Sequence, residues 1–192
     1  GNYLLRVTVN QGIQASDTTD AVFQITNSGA HYYVNDDSLT GDVFTTAVGN
    51  NGNSGRRPDQ PMASVAALVA AYDLKPDDVI HVDTGTYRLL KNIVLGPQDS
   101  GVRIEGPGAV ASSGSVAAVL DRGNSAFGSY VIELTGADNV TLDYLSITGG
   151  EYGIVAGDST NSDGLTVSNN EIFANARNGI YAGITSDALM IV

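Results

Sequence analysis

The chain has 192 residues, 42% of them hydrophobic but only 7% aromatic, with no Trp and no Cys. Its core must therefore come from Val, Ile and Leu, and disulfides, thiolate metal sites and Cys nucleophiles are excluded. Twenty-one acidic against nine basic residues leave a net charge of −12, which argues against a nucleic-acid partner; Arg56-Arg57 is the only adjacent basic pair. Twenty-three glycines, with frequent Asn, Asp, Ser and Thr, predict many turns between short strands. No apolar run approaches the roughly 20 residues of a membrane span. Gly1-Asn2-Tyr3 lacks the basic start and apolar stretch of a signal peptide and reads as the interior of a longer chain.

In chain order, residues 3–9 and 21–26 are two β-rich runs, joined by a polar stretch from Asn10 to Asp20, and together they predict a hairpin. The pair resembles the last two strands of an immunoglobulin-like sandwich. After Asn27-Ser28-Gly29, His31–Val34 begins a new strand, and Asn35 to Pro61 reads as a loop rich in Asn, Asp and Gly. A helix follows, with Ser64 as N-cap, Val65, Leu68, Val69 and Tyr72 at helical spacing, and Lys75-Pro76 as the stop. Such a short helix with one apolar face suits the covering of an open β-edge.

Short strands then recur at Val79–Val82, Val102–Ile104, Val116–Leu120, Val131–Leu134, Val140–Leu142, Leu145–Ile147, Tyr152–Val155, Leu165–Val167, Glu171–Phe173, Gly179–Tyr181 and Ala188–Val192. Tyr152-Gly153-Ile154-Val155-Ala156-Gly157 is echoed further on by Asn178-Gly179-Ile180-Tyr181-Ala182-Gly183. Val140-Thr141-Leu142 is echoed at nearly the same shift by Leu165-Thr166-Val167, and Leu189-Met190-Ile191 follows after one more such interval. Periods in the twenties with three short strands each indicate a β-solenoid. The leucine-rich-repeat consensus, which shares the period, is absent. Asn169-Asn170 at a turn is consistent with an asparagine ladder running from one coil to the next.

Tyr32-Tyr33-Val34-Asn35-Asp36, the Gly49–Gly55 loop, Pro58-Asp59-Gln60-Pro61-Met62-Ala63-Ser64 and Asp78–Tyr87 occur in an order that resembles the N-terminal cap and first coil of the pectate-lyase-like superfamily. The likeness runs from about Tyr32 to the end. It implies an all-β fold: a right-handed parallel β-helix with a short N-terminal capping helix. On this reading residues 1–28 are a hairpin ending a preceding domain, and residues 29–192 are the N-terminal part of a β-helix that continues past Val192 or self-associates at its open C-terminal edge. The superfamily holds pectate and alginate lyases, chondroitinases, C5-epimerases and polygalacturonases, together with large bacterial surface proteins. The run of strands into a β-helix start resembles the last kind. It implies a secreted or cell-surface module that binds or presents to polysaccharide, with a polysaccharide lyase or uronan C5-epimerase as one alternative and a structural spacer as another.

Alternation places Ile80, Val82, Val102, Ile104, Val140, Leu142, Leu165 and Val167 inward, and His81, Asp83, Arg103, Glu105, Thr141, Asp143, Thr166 and Ser168 outward. Stacking then gives two outward rows, Arg103–Thr141–Thr166 and Glu105–Asp143–Ser168. Uronan lyases and epimerases need a cation to neutralise the carboxylate, a base for the C5 proton and an acid for the leaving oxygen. Arg103 is the candidate carboxylate binder, and His81 or Tyr87 the candidate proton carrier. Glu105 and Asp143, or Asp36 and Asp37 in the loop, are candidate calcium ligands. The simpler reading of an Arg with two acids on a sheet is a surface ion pair. Tyr130, Tyr144, Tyr152 and Tyr181 are candidates for stacking against sugars. Neither an Arg-Pro-Arg nor an Asp-Pro-His triplet occurs, and Gly106-Pro107-Gly108 lacks the strand–helix context of a nucleotide site.

Overall fold

The computed structural model describes residues 2–3, 6–11, 13–18, 23–24, 29–109 and 117–192. The chain is mostly β-structure with one α-helix, and its larger sheets are parallel. Strand β1 (Asn2–Tyr3) pairs antiparallel with β4 (Phe23–Gln24), and β2 (Arg6–Gln11) with β3 (Ile13–Thr18). The hairpin therefore closes between residues 11 and 13, and the polar stretch expected to be its loop supplies β3. Ile13-Gln14-Ala15-Ser16 alternates at a period of two, which a reading by polarity alone overlooks. Residues 4, 5, 21, 22, 25 and 26 of the expected runs, and Val116 of a later one, lie outside the described residues.

From His31 onward the chain visits three parallel sheets in rotation. β5 (His31–Val34) and β6 (Val79–Val82) lie side by side in the first sheet, β7 (Gly85–Arg88) opens the second, and β8 (Ile93–Leu95) opens the third. The next circuit is β9 (Arg103–Glu105), β10 (Ala118–Asp121) and β11 (Tyr130–Leu134). Then come β12 (Thr141–Asp143), β13 (Leu145–Thr148) and β14 (Tyr152–Ala156), followed by β15 (Thr166–Ser168), β16 (Glu171–Phe173) and β17 (Asn178–Ala182). β18 (Met190–Ile191) returns to the first sheet. Each strand pairs with its counterpart one circuit away: Thr141 with Thr166, Ser146 with Glu171, Tyr152 with Asn178. The shifts between echoing segments of the sequence are these registers.

The register stacks like on like inside. Tyr32, Ile80, Ile104, Leu142 and Val167 form one column, Tyr87, Leu120, Ile147 and Ile172 a second, and Ile93, Ile132, Ile154 and Ile180 a third. Buried members of all three columns belong to one hydrophobic core. A fully buried Ile or Leu contributes about 1.5–3 kcal/mol relative to an exposed one, so the columns supply most of the driving force. The parallel pairing leaves both ends of each sheet without a neighbour, and α1 (Val65–Ala71) packs against β8, the first strand of the third sheet. Ser64 caps the helix by accepting from the Ala67 amide at 3.3 Å. The helix ends at Ala71 rather than at Lys75-Pro76, because Tyr72 turns to extended backbone and Leu74 is then fully buried.

Besides β3, two parallel strands escaped the sequence reading. β7 begins with Gly85, where a Cβ would run into the Asp36 carboxylate, and β8 is a short run between Asn92 and Gly96. The asparagines at the corners also behave differently from an amide-on-amide ladder. Asn170 accepts from Leu145 N and donates to Leu142 O, both at 2.8 Å, and Asn175 accepts from Gly150 N at 3.0 Å and donates to Ile147 O at 3.2 Å. Each amide closes the backbone of the circuit before it.

Candidate functional site

Two outward features carry the candidate residues. The first runs along the six-stranded sheet, where register aligns Tyr33, His81, Glu105, Asp143 and Ser168, beside a second row of Val79, Arg103, Thr141 and Thr166. The two rows expected from alternation are therefore present, but Asp143, expected to be outward and open, is buried among its partners. Arg103 Nε donates to Glu105 Oε2 at 2.6 Å, and its Nη2 pairs with Asp143 Oδ2. The other Asp143 oxygen accepts from Ser168 Oγ and Asn169 Nδ2, both at 2.9 Å. On the opposite side His81 Nδ1 lies 3.0 Å from Glu105 Oε1, off the line of a straight hydrogen bond. His81 Nε2 lies 2.8 Å from His31 Nδ1. The two imidazole planes are within 5° with centroids 5.1 Å apart, so the rings meet edge to edge in one plane rather than face to face. Contact with His81 holds the Glu105 carboxyl below the ordinary carboxylate range, with Arg103 assisting against the opposing effect of burial.

His81 points away from the core as expected, but it is not open. Phe44, from the loop after β5, and Tyr33 lie over it at ring separations of 4.8 and 5.1 Å. That loop also overturns the outward placement of Asp83. The Asp83 side chain is fully buried and accepts from the amides of Val43, Phe44, Thr45 and Thr84 and from Thr45 Oγ1, at 2.7–2.9 Å. Strand alternation ends one residue earlier than assumed, and Asp83 instead serves as the anchor of the loop. Tyr87 is likewise buried, donating to the Asp83 carbonyl at 2.9 Å. Burial pushes its phenol far up, reinforced by Asp36, Asp83 and Asp42.

Of the loop acids, Asp36 accepts from Ser38 N and Thr86 N at 2.8 and 3.3 Å, while Asp37 is exposed. Burial raises the Asp42 carboxyl. Among the described residues no group of three or more His, Asp or Glu is arranged to hold a metal ion. Between Glu105 and Asp143, the Arg103 guanidinium stands where a calcium ion would. A shallow groove of about 490 Å³ lies alongside, lined by Pro76, Val79, Ser100, Arg103, Asn139 and Thr141.

The second feature lies on the third sheet and brings together three of the four candidate tyrosines. Val131 and Ile132 are both fully buried, and Tyr130 and Glu133 on either side of them are half-buried. Tyr152 sits one circuit on, in register with Tyr130, and Tyr181 lies on β17 in register with Val155 rather than with Tyr152. The equivalent inner position is Gly153, where a Cβ would strike the Gly179 carbonyl and the Ile172 side chain. The Tyr130 and Tyr152 rings are 5.6 Å apart and edge-on, and the Tyr152 and Tyr181 rings are 5.6 Å apart and tilted. All three are half-buried. Arg177 donates to the Tyr152 hydroxyl at 3.2 Å and lies 3.4 Å from Glu151, and Tyr181 donates to Asp158 at 2.6 Å. Burial raises the Tyr130 phenol, with Glu151 and Glu133 adding to it.

Tyr144 is elsewhere. It follows β12 at φ 54, the corner position that Asn169 holds after β15 at φ 55, and its ring lies over Gly108. The sequence reading missed His31 as a partner of His81, and Arg177, Glu133 and Asp158 as companions of the tyrosines. The echo of residues 152–157 at 178–183 was the available signal for the tyrosine group, since it sets Tyr152 and Tyr181 on stacked strands. A comparison with protein-family models found no match, and searches of the curated proteins and of the solved structures found none either.

Proposed function

We propose that this chain is a module of a secreted or cell-surface protein, that its parallel sheets wind as a right-handed β-helix of the pectate-lyase-like kind, and that its third-sheet face binds polysaccharide. The observation that carries the reading is the run of Tyr130, Tyr152 and Tyr181 on successive strands, 5.6 Å from ring to ring. An aromatic ring offers an apolar face to the C–H face of a pyranose, and a phenol adds a polar edge for its hydroxyls. A row of rings along a stack of strands addresses a polymer rather than a single sugar. Held by a sheet, the rings also lose little freedom on binding.

The test is titration calorimetry of the chain and its Tyr152→Ala variant against a panel of polysaccharides, with uronate absorbance followed in the same samples. The expected result is heat for wild type, roughly tenfold weaker binding for the variant, and no new absorbance. Heat unchanged in the variant overturns the tyrosine assignment.

A second reading, a lyase or epimerase acting on an acidic glycan, draws support from Arg103, which lines the groove and pairs with Glu105. In that reaction Arg103 binds the uronate carboxylate, and His81 takes the C5 proton only after leaving His31 and its cover of Phe44 and Tyr33. In a lyase the electron pair left at C5 then forms the C4–C5 double bond and expels the C4 oxygen. Ultraviolet absorbance from alginate, pectate or chondroitin that vanishes in His81→Ala would establish the lyase, and exchange of the C5 proton with solvent without absorbance would establish the epimerase. Absence of both heat and absorbance leaves the structural spacer.

A further inference from the structure

We infer that the tyrosine-bearing face selects an uncharged polysaccharide over a polyuronate; the inference rests on the glycan-binding reading and gives it a substrate class. The charges around the three rings decide it. Glu133 and Asp158 flank them, while Glu151 is buried, accepts from Gly128 N at 2.7 Å and pairs with the cation Arg177. Arg177 is committed twice over, to Glu151 at 3.4 Å and to the Tyr152 hydroxyl at 3.2 Å. A uronate carboxylate laid on these rings finds one cation that already faces Glu151 and meets two like charges, Glu133 and Asp158, on a molecule whose net charge is already −12. Like charges brought together at an interface oppose binding strongly, whatever the aromatic contact contributes.

The same groups suit a neutral sugar. Carboxylates accept hydrogen bonds from hydroxyl groups, and such charge-assisted bonds are stronger than those between neutral partners. Asp158 already accepts from one phenol, and the exposed Asn178, in register with Tyr152, offers both a donor and an acceptor. Of the cations at the neighbouring corners, Arg122 is tied down by the fold, while Arg88 and Lys91 are exposed. Arg122 donates to Asn92 Oδ1 and Leu89 O, Arg88 lies 3.5 Å from Asp121, and Lys91 lines the groove against α1.

Affinity electrophoresis in native gels tests this, with hydroxyethylcellulose and galactomannan as neutral probes and alginate and polygalacturonate as charged ones, each at low salt and at about 0.5 M salt, where charges are screened within several ångströms. The expected result is retardation by a neutral probe that is insensitive to salt and lost in Tyr152→Ala, with no retardation by either uronan at low salt. Stronger retardation by alginate or polygalacturonate at low salt overturns the selectivity while leaving the glycan reading standing. Retardation by a neutral probe that collapses in salt also overturns it, because the contact would then be ionic. Failure of all four probes at both salts overturns the inference and the glycan reading together. Circular dichroism of Tyr152→Ala at the start ensures that its loss of binding is not a loss of fold.

Discussion

At the scale of single residues, Asp83 and Glu105 show how the same side-chain type takes opposite parts. Asp83 ties three successive amides of the loop after β5, from Val43 to Thr45. Asp83→Ala leaves those donors buried without a partner and is expected to cost roughly 3–5 kcal/mol, read as a lowered urea midpoint. Glu105 is a titration element. Its carboxyl is held below the ordinary value of about 4.5, first by His81 and then by Arg103. A carboxyl lowered by folding stabilises above its unfolded value and loses that contribution as pH falls through its folded value. Wild type is therefore expected to lose stability below about pH 4.5 more steeply than Glu105→Gln, a difference that thermal melts from pH 6 to 3 would register. Equal slopes would mean that Glu105 gains nothing from its neighbours. Residues of this kind were only half legible. That His81, Arg103, Glu105 and Asp143 share one face followed from alternation, whereas the covering of His81 by Phe44 depends on a loop whose path no local pattern encodes.

At the scale of elements, the strands with alternating Val, Ile and Leu were readable because burial of one face forces a period of two. Those that were not readable had short runs or conspicuous polar residues, as in Ile93-Val94-Leu95 and Ile13–Thr18. The helix was placed correctly at its start, where Ser64 has a specific bonding role, and too long at its end, where burial of Leu74 intervened. Ser64→Ala is expected to cost about 1 kcal/mol, the usual worth of a cap. Ile147→Ala, at the centre of the second column, is expected to cost about 2–5 kcal/mol, since its neighbours above and below cannot both close the cavity. Chemical denaturation of both variants would separate the two magnitudes, and a smaller loss for Ile147 than for Ser64 would contradict the column as the main source of stability.

At the scale of the whole molecule, the all-β character and parallel pairing were legible from the repeat, but only its last part. Between β12 and β18 partners stand at a nearly constant distance along the chain, as Thr141 does from Thr166 and Thr166 from Met190. Arg103 and its partner Thr141 are much further apart, the second circuit carrying longer corners. Self-similarity was therefore visible only where the corners are equal in length. Stability in such an array is close to a sum over neighbouring circuits. Removal of residues 141–165, one whole period, is expected to let β9, β10 and β11 pair directly with β15, β16 and β17, and to leave a cooperative melt and unchanged β-type circular dichroism. Removal of half that number sets every inward side chain of the later strands out of step and is expected to abolish the melt. The constant separation between partners reaches into the history of such a chain as well as its folding. Chain closure costs grow only with the distance along the chain between partners, so a gene that gains or loses a period by unequal recombination yields a product whose every contact is as local as before. Length becomes a quantity that selection can vary without redesigning the core, and each added period can add one more ring to the tyrosine-bearing face.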